Sequence, residues 1–250
     1  MKEIIAISNQ KGGVGKSTTA NALGAGLQKK GFKVLYVDMD AQANLSYSMG
    51  VTAPQISSLN VLAEQASAKD AIVKTAQGDL IPASPALAAA DLMLTDTGKE
   101  YKLKEALEPI LDDYDYMILD CPPALGVLTA NALTACDSVI IPVQADVFSL
   151  QGVGQLLQTI NTVKKYCNPN IRIKGLLATR YNARTVMSRD MTEMLEETAR
   201  QLGTSLYKVK IRECTALKEA QANQEDIFTY APTSNAASDY TDFLNEVLAQ

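Results

Sequence analysis

Gln10-Lys11-Gly12-Gly13-Val14-Gly15-Lys16-Ser17-Thr18 follows the apolar run Glu3-Ile4-Ile5-Ala6-Ile7-Ser8 and leads into a stretch of helical spacing over residues 18–30. The glycines therefore fall on a strand-to-helix turn. Such a turn curls so that successive N–H groups point inward at an anion, with the positive end of the new helix dipole behind them. Lys16 is then expected to reach the β and γ oxygens of a nucleotide, and the Ser17 hydroxyl to ligate magnesium. Gly12, Gly13, Val14, Gly15 and Thr18 complete the expected phosphate-binding set. The usual phosphate-loop pattern begins with glycine where this chain has Gln10, and this loop carries a second lysine, Lys11.

Working outward, strand and helix signals alternate along the whole chain. Residues 33–38, 116–120, 138–143 and 171–179 read as strands. Residues 125–134, 150–166, 186–202 and 234–248 have the apolar spacing of helices, the third ending at Gly203 as a C-cap. This alternation predicts an α/β fold, a mostly parallel twisted sheet with helices on both faces, of the P-loop nucleotide hydrolase type. No Pro, Gly or Ser-rich linker divides residues 1–250, so one domain is expected. Residues 52–100 give the weakest signals: a possible helix, a short strand near 80–82 and an Ala-rich helix over 85–94. In the last helix Tyr240, Phe243, Leu244, Val247 and Leu248 share one face, which should pack on the sheet.

Two further strand ends carry carboxylates. The second strand ends in Asp38-Met39-Asp40-Ala41-Gln42-Ala43-Asn44, where alternation would turn Asp38 and Asp40 to one side and Met39 to the other. One of the pair is suited to orient a water for attack on a terminal phosphate. Asp38 is expected behind the magnesium rather than on it. Tyr116-Met117-Ile118-Leu119-Asp120-Cys121-Pro122-Pro123 has the apolar run and final acid of a Walker B strand, so Asp120 is expected to hold magnesium through water. Cys121 reads as a small buried thiol.

Composition narrows the chemistry. The chain has no histidine, which excludes imidazole base catalysis and His-ligated metals. Its four cysteines are widely spaced, without metal-site spacing, and suit a reducing cytosol. No apolar run approaches the roughly 20 residues of a membrane span, and the entry into a strand at Glu3 predicts no signal peptide. The net charge of −5 is unevenly spread: residues 151–218 hold twelve Lys and Arg against five Asp and Glu, and no basic residue follows Lys218. A basic segment in an acidic protein fits either a polyanionic partner or solvated helix faces of uneven local charge.

The loop at 11–18, D-M-D-A-Q-A-N at 38–44, L-D-C-P-P at 119–123, I-P-V-Q-A at 141–145 and Ala231-Pro232-Thr233-Ser234 together resemble the ParA/Soj-type partition ATPases of the ParA/MinD group, which have a deviant Walker A loop. The likeness runs nearly end to end. It implies that Lys11 crosses a dimer interface to the partner's ATP, that Lys11, Lys16 and Asp40 are the catalytic set, and that Ser17, Asp38 and Asp120 serve magnesium. It implies ATP hydrolysis by a homodimer that binds DNA without sequence preference and is stimulated by a ParB-like protein, in the cytoplasm and at the nucleoid. Arg180 is placed on the adenine side, and Arg184, Arg189, Lys208, Lys210 and Arg212 are the expected DNA contacts. Similar proteins commonly carry basic residues where this chain has Glu213 and Ala216. A MinD-like ATPase acting at a membrane is the alternative, against which Asp239, Asp242 and Glu246 in the last helix count, since an anionic surface repels them. An iron–sulfur reductase and a non-hydrolysing scaffold are further rivals.

Overall fold

The computed structural model describes residues 3–144, 147–182 and 186–250. Seven strands, β1 (Glu3–Ile7), β2 (Val34–Asp38), β3 (Val73–Thr75), β4 (Gly78–Ile81), β5 (Tyr116–Asp120), β6 (Ser138–Gln144) and β7 (Arg172–Thr179), form one sheet in the order β3-β4-β2-β5-β1-β6-β7. Every neighbouring pair is parallel except β3 with β4. The inner strands are buried along their length, as expected of continuous apolar runs covered on both faces.

One face of the sheet presents Ala6, Val37, Met39, Leu119, Cys121 and Ile141 to a core shared with α7 (Val127–Ala135), α8 (Val147–Tyr166) and α9 (Val186–Gln201). The other presents Ile5, Ile7, Tyr36, Ile118 and Ile140 to α1 (Lys16–Lys29) and α12 (Asn235–Leu248). Helices thus cover both faces, as the alternation predicts. The connection from β2 to β5 holds the short helices α2 (Asn44–Ser48), α3 (Ser58–Leu62), α4 (Ala68–Ala71), α5 (Ala90–Met93) and α6 (Lys102–Leu107), and α10 (Thr215–Ala222) and α11 (Ile227–Tyr230) precede the last helix.

Local chemistry sets the boundaries. Helix α1 begins at Lys16, earlier than expected, because Gly15 at φ 85° already turns the chain and its carbonyl accepts from Thr19 N at 2.9 Å. Gly203, at φ 67°, closes α9 as the sequence suggests, with Thr204 N donating to Ala199 O at 3.0 Å. Ser234 caps α12 by accepting from Ala237 N. The Ala-rich stretch is not the continuous helix expected: Pro85–Ala89 is a 3-10 turn and α5 lasts four residues. Alanines give helix propensity but little face to bury, and here Leu87, Ala90 and Leu94 anchor the segment while Leu92 and Met93 face outward.

Helix α12 buries Tyr240, Phe243, Leu244 and Val247 and leaves Leu248 at 36% exposure. It lies against α1 so closely that a Cβ on Gly26 would stand 2.9 Å from Leu244 Cδ2. Among the described residues no helix is long and apolar enough to cross a membrane.

Candidate functional site

The sheet order decides where the chemistry gathers. β5 lies between β1 and β2, so Asp120 is paired in register with Ile7 on one side and Asp38 on the other. The phosphate loop and both acidic strand ends thereby share one lip of the sheet, at the carboxyl ends of parallel strands, where α/β folds bind ligands.

Beyond β1 the loop is held by its own polar groups. Asn9 Nδ2 donates to Pro142 O at 2.7 Å and Asn9 Oδ1 accepts from Lys11 N at 3.0 Å, which fixes the start of the turn. Gly13 and Gly15, at φ 75° and 85°, make the left-handed steps that residues with a Cβ avoid. Thr179 at the end of β7 donates its hydroxyl to Val14 O at 2.8 Å, tying the loop to the far side of the sheet. Lys16 folds back over the ring so that its Nζ donates to Lys11 O at 3.2 Å. Burial pushes the Lys16 ammonium down from its ordinary pKa, and Asp120 and Asp40 oppose that shift. The loop lines a crevice of about 550 Å³ with Asp40 and Gln42 from the loop after β2, Asn44, Tyr47 and Ser48 from α2, Pro123, and Gln221 and Ala222 from α10.

The three aspartates differ in their surroundings. Asp38 is fully buried and serves the backbone: Oδ1 accepts from Asp40 N at 3.1 Å, while Oδ2 accepts from Ser46 N at 2.9 Å and Ser46 Oγ at 2.7 Å. Burial raises it to about 6 even so, since three donors do not replace the water lost and Asp40 adds like charge. Asp40 opens into the crevice and accepts from Gln42 N at 3.0 Å. Met39 is turned into the opposite core, as alternation predicts. Asp120 is completely buried and neither carboxylate oxygen accepts a hydrogen bond of good geometry. Burial, then the charge of Asp38 beside it, drives its pKa well up; Ser17 and Lys16 lie close enough to favour the ionised form. Two bare, buried carboxylate oxygens beside a serine hydroxyl are a donor set that fits a hard divalent cation.

On the other side of the loop a smaller cleft of about 160 Å³ opens between Gly15, Thr179, Arg180, Ile211, Leu217 and Tyr240. Arg180, in the left-handed region at φ 50°, pairs through Nη2 with Glu213 at 2.9 Å and forms its rim. Gln221 Nε2 donates to Thr18 Oγ1 at 2.8 Å between this cleft and the phosphate crevice. A larger groove of about 720 Å³, between α7 and α8, is lined mainly by glutamine, threonine and apolar side chains and gathers no comparable set of charges.

The expected DNA contacts are dispersed. Lys208 is exposed, and Lys210 Nζ lies 4.9 Å from the centre of the Tyr181 ring. Arg212 is committed to α12: its Nε donates to Asp239 Oδ2 at 2.9 Å and its backbone N to the same oxygen at 3.0 Å. Glu246 accepts from the backbone N–H groups of Lys208 and Val209. Two acids of the last helix therefore organise the basic segment. Arg184 lies outside the described residues, as does the side chain of Arg189 on α9. Cys121 and Cys136 are both buried, and burial pushes the Cys121 thiol up to about 12. Neither thiol reaches the surface to bridge a cluster to a second subunit.

Sequence reasoning missed Asn9, Ser46, Thr179 and Gln221, which bond to the phosphate loop or to Asp38. Asn9, Thr179 and Gln221 each meet a partner distant in the chain, and Ser46 meets Asp38 at a separation that no helix or strand period marks.

Comparisons with known proteins show the family of the chain. The family described as an AAA domain matches residues 2–173. The sporulation initiation inhibitor protein Soj of Bacillus subtilis is 42% identical over 254 residues, covering 100% of this chain and 99% of that protein. Chromosome partitioning protein ParA of Caulobacter vibrioides is 35% identical, covering 99% and 94%. A crystal structure of cobyrinic acid a,c-diamide synthase from Mycobacterium smegmatis with bound ATP analogue and magnesium superposes with a TM-score of 0.86 at 36% identity, covering 99% of this chain and 95% of that one. The fold and the loop define a P-loop ATPase. Within that class, the chain belongs to the ParA/Soj family of partition ATPases.

Proposed function

We propose that this protein is a magnesium-dependent ATPase of DNA or cargo segregation, dimeric when ATP-bound. The observation that carries the reading is a crevice at the end of the sheet lined by Lys16, Ser17 and Asp40, with the buried carboxylate of Asp120 close beside Lys16 and Ser17. In this reading Gly12, Gly13, Val14, Gly15 and Thr18 surround the phosphates. Lys16 lies against the β and γ oxygens, and Arg180 borders the base. Ser17 and Asp120 hold magnesium, which when bound supplies positive charge to the phosphates. Asp38 acts from behind by fixing the backbone of Asp40 and Ser46. Asp40 orients the attacking water. Lys11 reaches the partner's ATP, so the nucleotide becomes part of the interface and hydrolysis dissolves it.

Dimerisation doubles the basic surface around Lys208 and Lys210, with Arg184 and Arg189. Affinity for DNA rises steeply with the number of phosphates neutralised, so a pair binds where a single copy does not. A ParB-like protein then stimulates hydrolysis, with the protein working in the cytoplasm over the nucleoid. The membrane alternative is disfavoured because the apolar face of α12 is buried against α1 and the sheet.

A DNA mobility shift with no nucleotide, ADP and ATP, each with magnesium and across a salt series, tests this. Retardation confined to ATP and lost steeply with salt is expected, together with its loss in Lys11→Ala. Equal binding in all three nucleotide states would overturn the gated dimer.

A further inference from the structure

Two walls of the crevice are not built by the phosphate loop: α2, with Tyr47 and Ser48, and the end of α10, with Gln221 and Ala222. Both walls are joined to one side chain, Gln77, in the turn between β3 and β4. Its amide nitrogen donates to Ser48 O at 2.6 Å and to Gln224 O at 2.8 Å, while its oxygen accepts from Asn21 Nδ2 of α1 at 2.8 Å. Gln77 is 8% exposed and Asn21 6%, so the bonds to Asn21 and Ser48 are made away from water, while the one to Gln224 is partly buried. The turn holds Gln77 in place, since Thr75 Oγ1 accepts from Gln77 N and donates to Gly78 O. Gln224, which presents its carbonyl to Gln77, sits at φ 57°, a conformation that disfavours residues with side chains.

We propose that Gln77 is a positioning residue for nucleotide binding, setting the spacing between the α2 wall and the α10 wall; this rests on the nucleotide reading above. A primary amide suits the task because it donates twice and accepts once. A lysine in its place supplies donors without the acceptor, and a glutamate supplies the acceptor without the donors. The middle of α2 is pinned independently by Asp38 through Ser46. Cutting the Gln77 tie therefore loosens the walls while leaving Asp40 where it is.

The test is a titration of the full-length protein with N-methylanthraniloyl-ADP and magnesium, beside steady-state hydrolysis of ATP. Gln77→Glu keeps the Asn21 bond and removes both bonds to the walls. Gln77→Met removes all three without adding charge. Both are expected to raise Kd about tenfold, the scale of two neutral hydrogen bonds, with kcat within about threefold of the parent. Asn21→Ala cuts the third bond alone, and Kd within about twofold of the parent is expected. Melting temperatures of all variants separate a loss of fold from a loss of fit. Parental affinity in both Gln77 variants, or an equal loss in Asn21→Ala, overturns the tie. A parent protein that binds no nucleotide overturns the ATPase reading itself, and the tie with it.

Discussion

Asp38 and Asp120 sit side by side on neighbouring strands, both buried, both with pKa values raised. A carboxyl whose folded-state pKa exceeds its unfolded value stabilises most below the unfolded value, and that contribution is lost as pH rises through the folded one. For Asp38 the window runs from the ordinary carboxylate range to about 6, and the shift at Asp120 has the same sign. Glu3 is lowered and acts in the opposite sense, at and below the ordinary glutamate range and so at the acid end of that window. The nucleotide-free protein is therefore expected to lose stability in urea as pH rises from about 5 to about 6, and Asp38→Asn to flatten that dependence. A parental slope in the variant would assign the effect elsewhere. Asp40, exposed to the crevice, has a different part. Asp40→Ala is expected to slow ATP turnover by roughly a hundredfold or more while nucleotide still binds, leaving a long-lived dimer on DNA. Unchanged turnover in a rapid phosphate-release assay would remove it from the mechanism.

At the scale of elements, α1 owes its close seat on the sheet to Gly24. A Cβ there would stand 2.2 Å from the Tyr36 ring, which is completely buried and cannot swing away. Gly24→Ala is expected to lower the urea midpoint, because about 1–3 kcal/mol of overpacking outweighs the ~1 kcal/mol that alanine adds to helix propensity. A raised midpoint would show that α1 can shift. The legible parts of the fold were those with a strong local signature. β1, β2, β5, β6 and β7 are apolar runs ending in polar or glycine-rich turns, and the glycine loop announces its own strand and helix. The hairpin of β3 and β4 was hard to read because three or four residues carry no usable period, and the 85–94 segment because alanine favours a helix whether or not a core requires one. Gln77 was invisible for a further reason: its worth lies in the three partners that folding brings to it.

For the whole molecule, the basic segment and the acidic last helix are one unit rather than separate charge patches. Arg212 and the backbone at 208–209 are held by Asp239 and Glu246, so in the proposed DNA-binding reading the polyanion falls to Lys208 and Lys210. Lys208→Ala with Lys210→Ala is expected to reduce the salt dependence of ATP-dependent DNA binding by about one phosphate contact per lysine. Arg212→Ala is expected to destabilise the fold more than it alters that slope, and the reverse outcome would return Arg212 to the DNA surface. The distribution of candidate groups along the chain was legible in the sequence; their division into those that face a ligand and those that brace the fold was not, because both kinds are Lys, Arg, Asp and Gln. The sheet order has one more implication, for the growing polypeptide. The lane between β1 and β2 is filled by β5, which emerges from the ribosome some eighty residues after β2 ends. Until Asp120 has been synthesised and has slotted into that gap, the glycine loop has no floor. Truncated nascent chains ending before β5 should therefore hold no nucleotide, however complete their first helix.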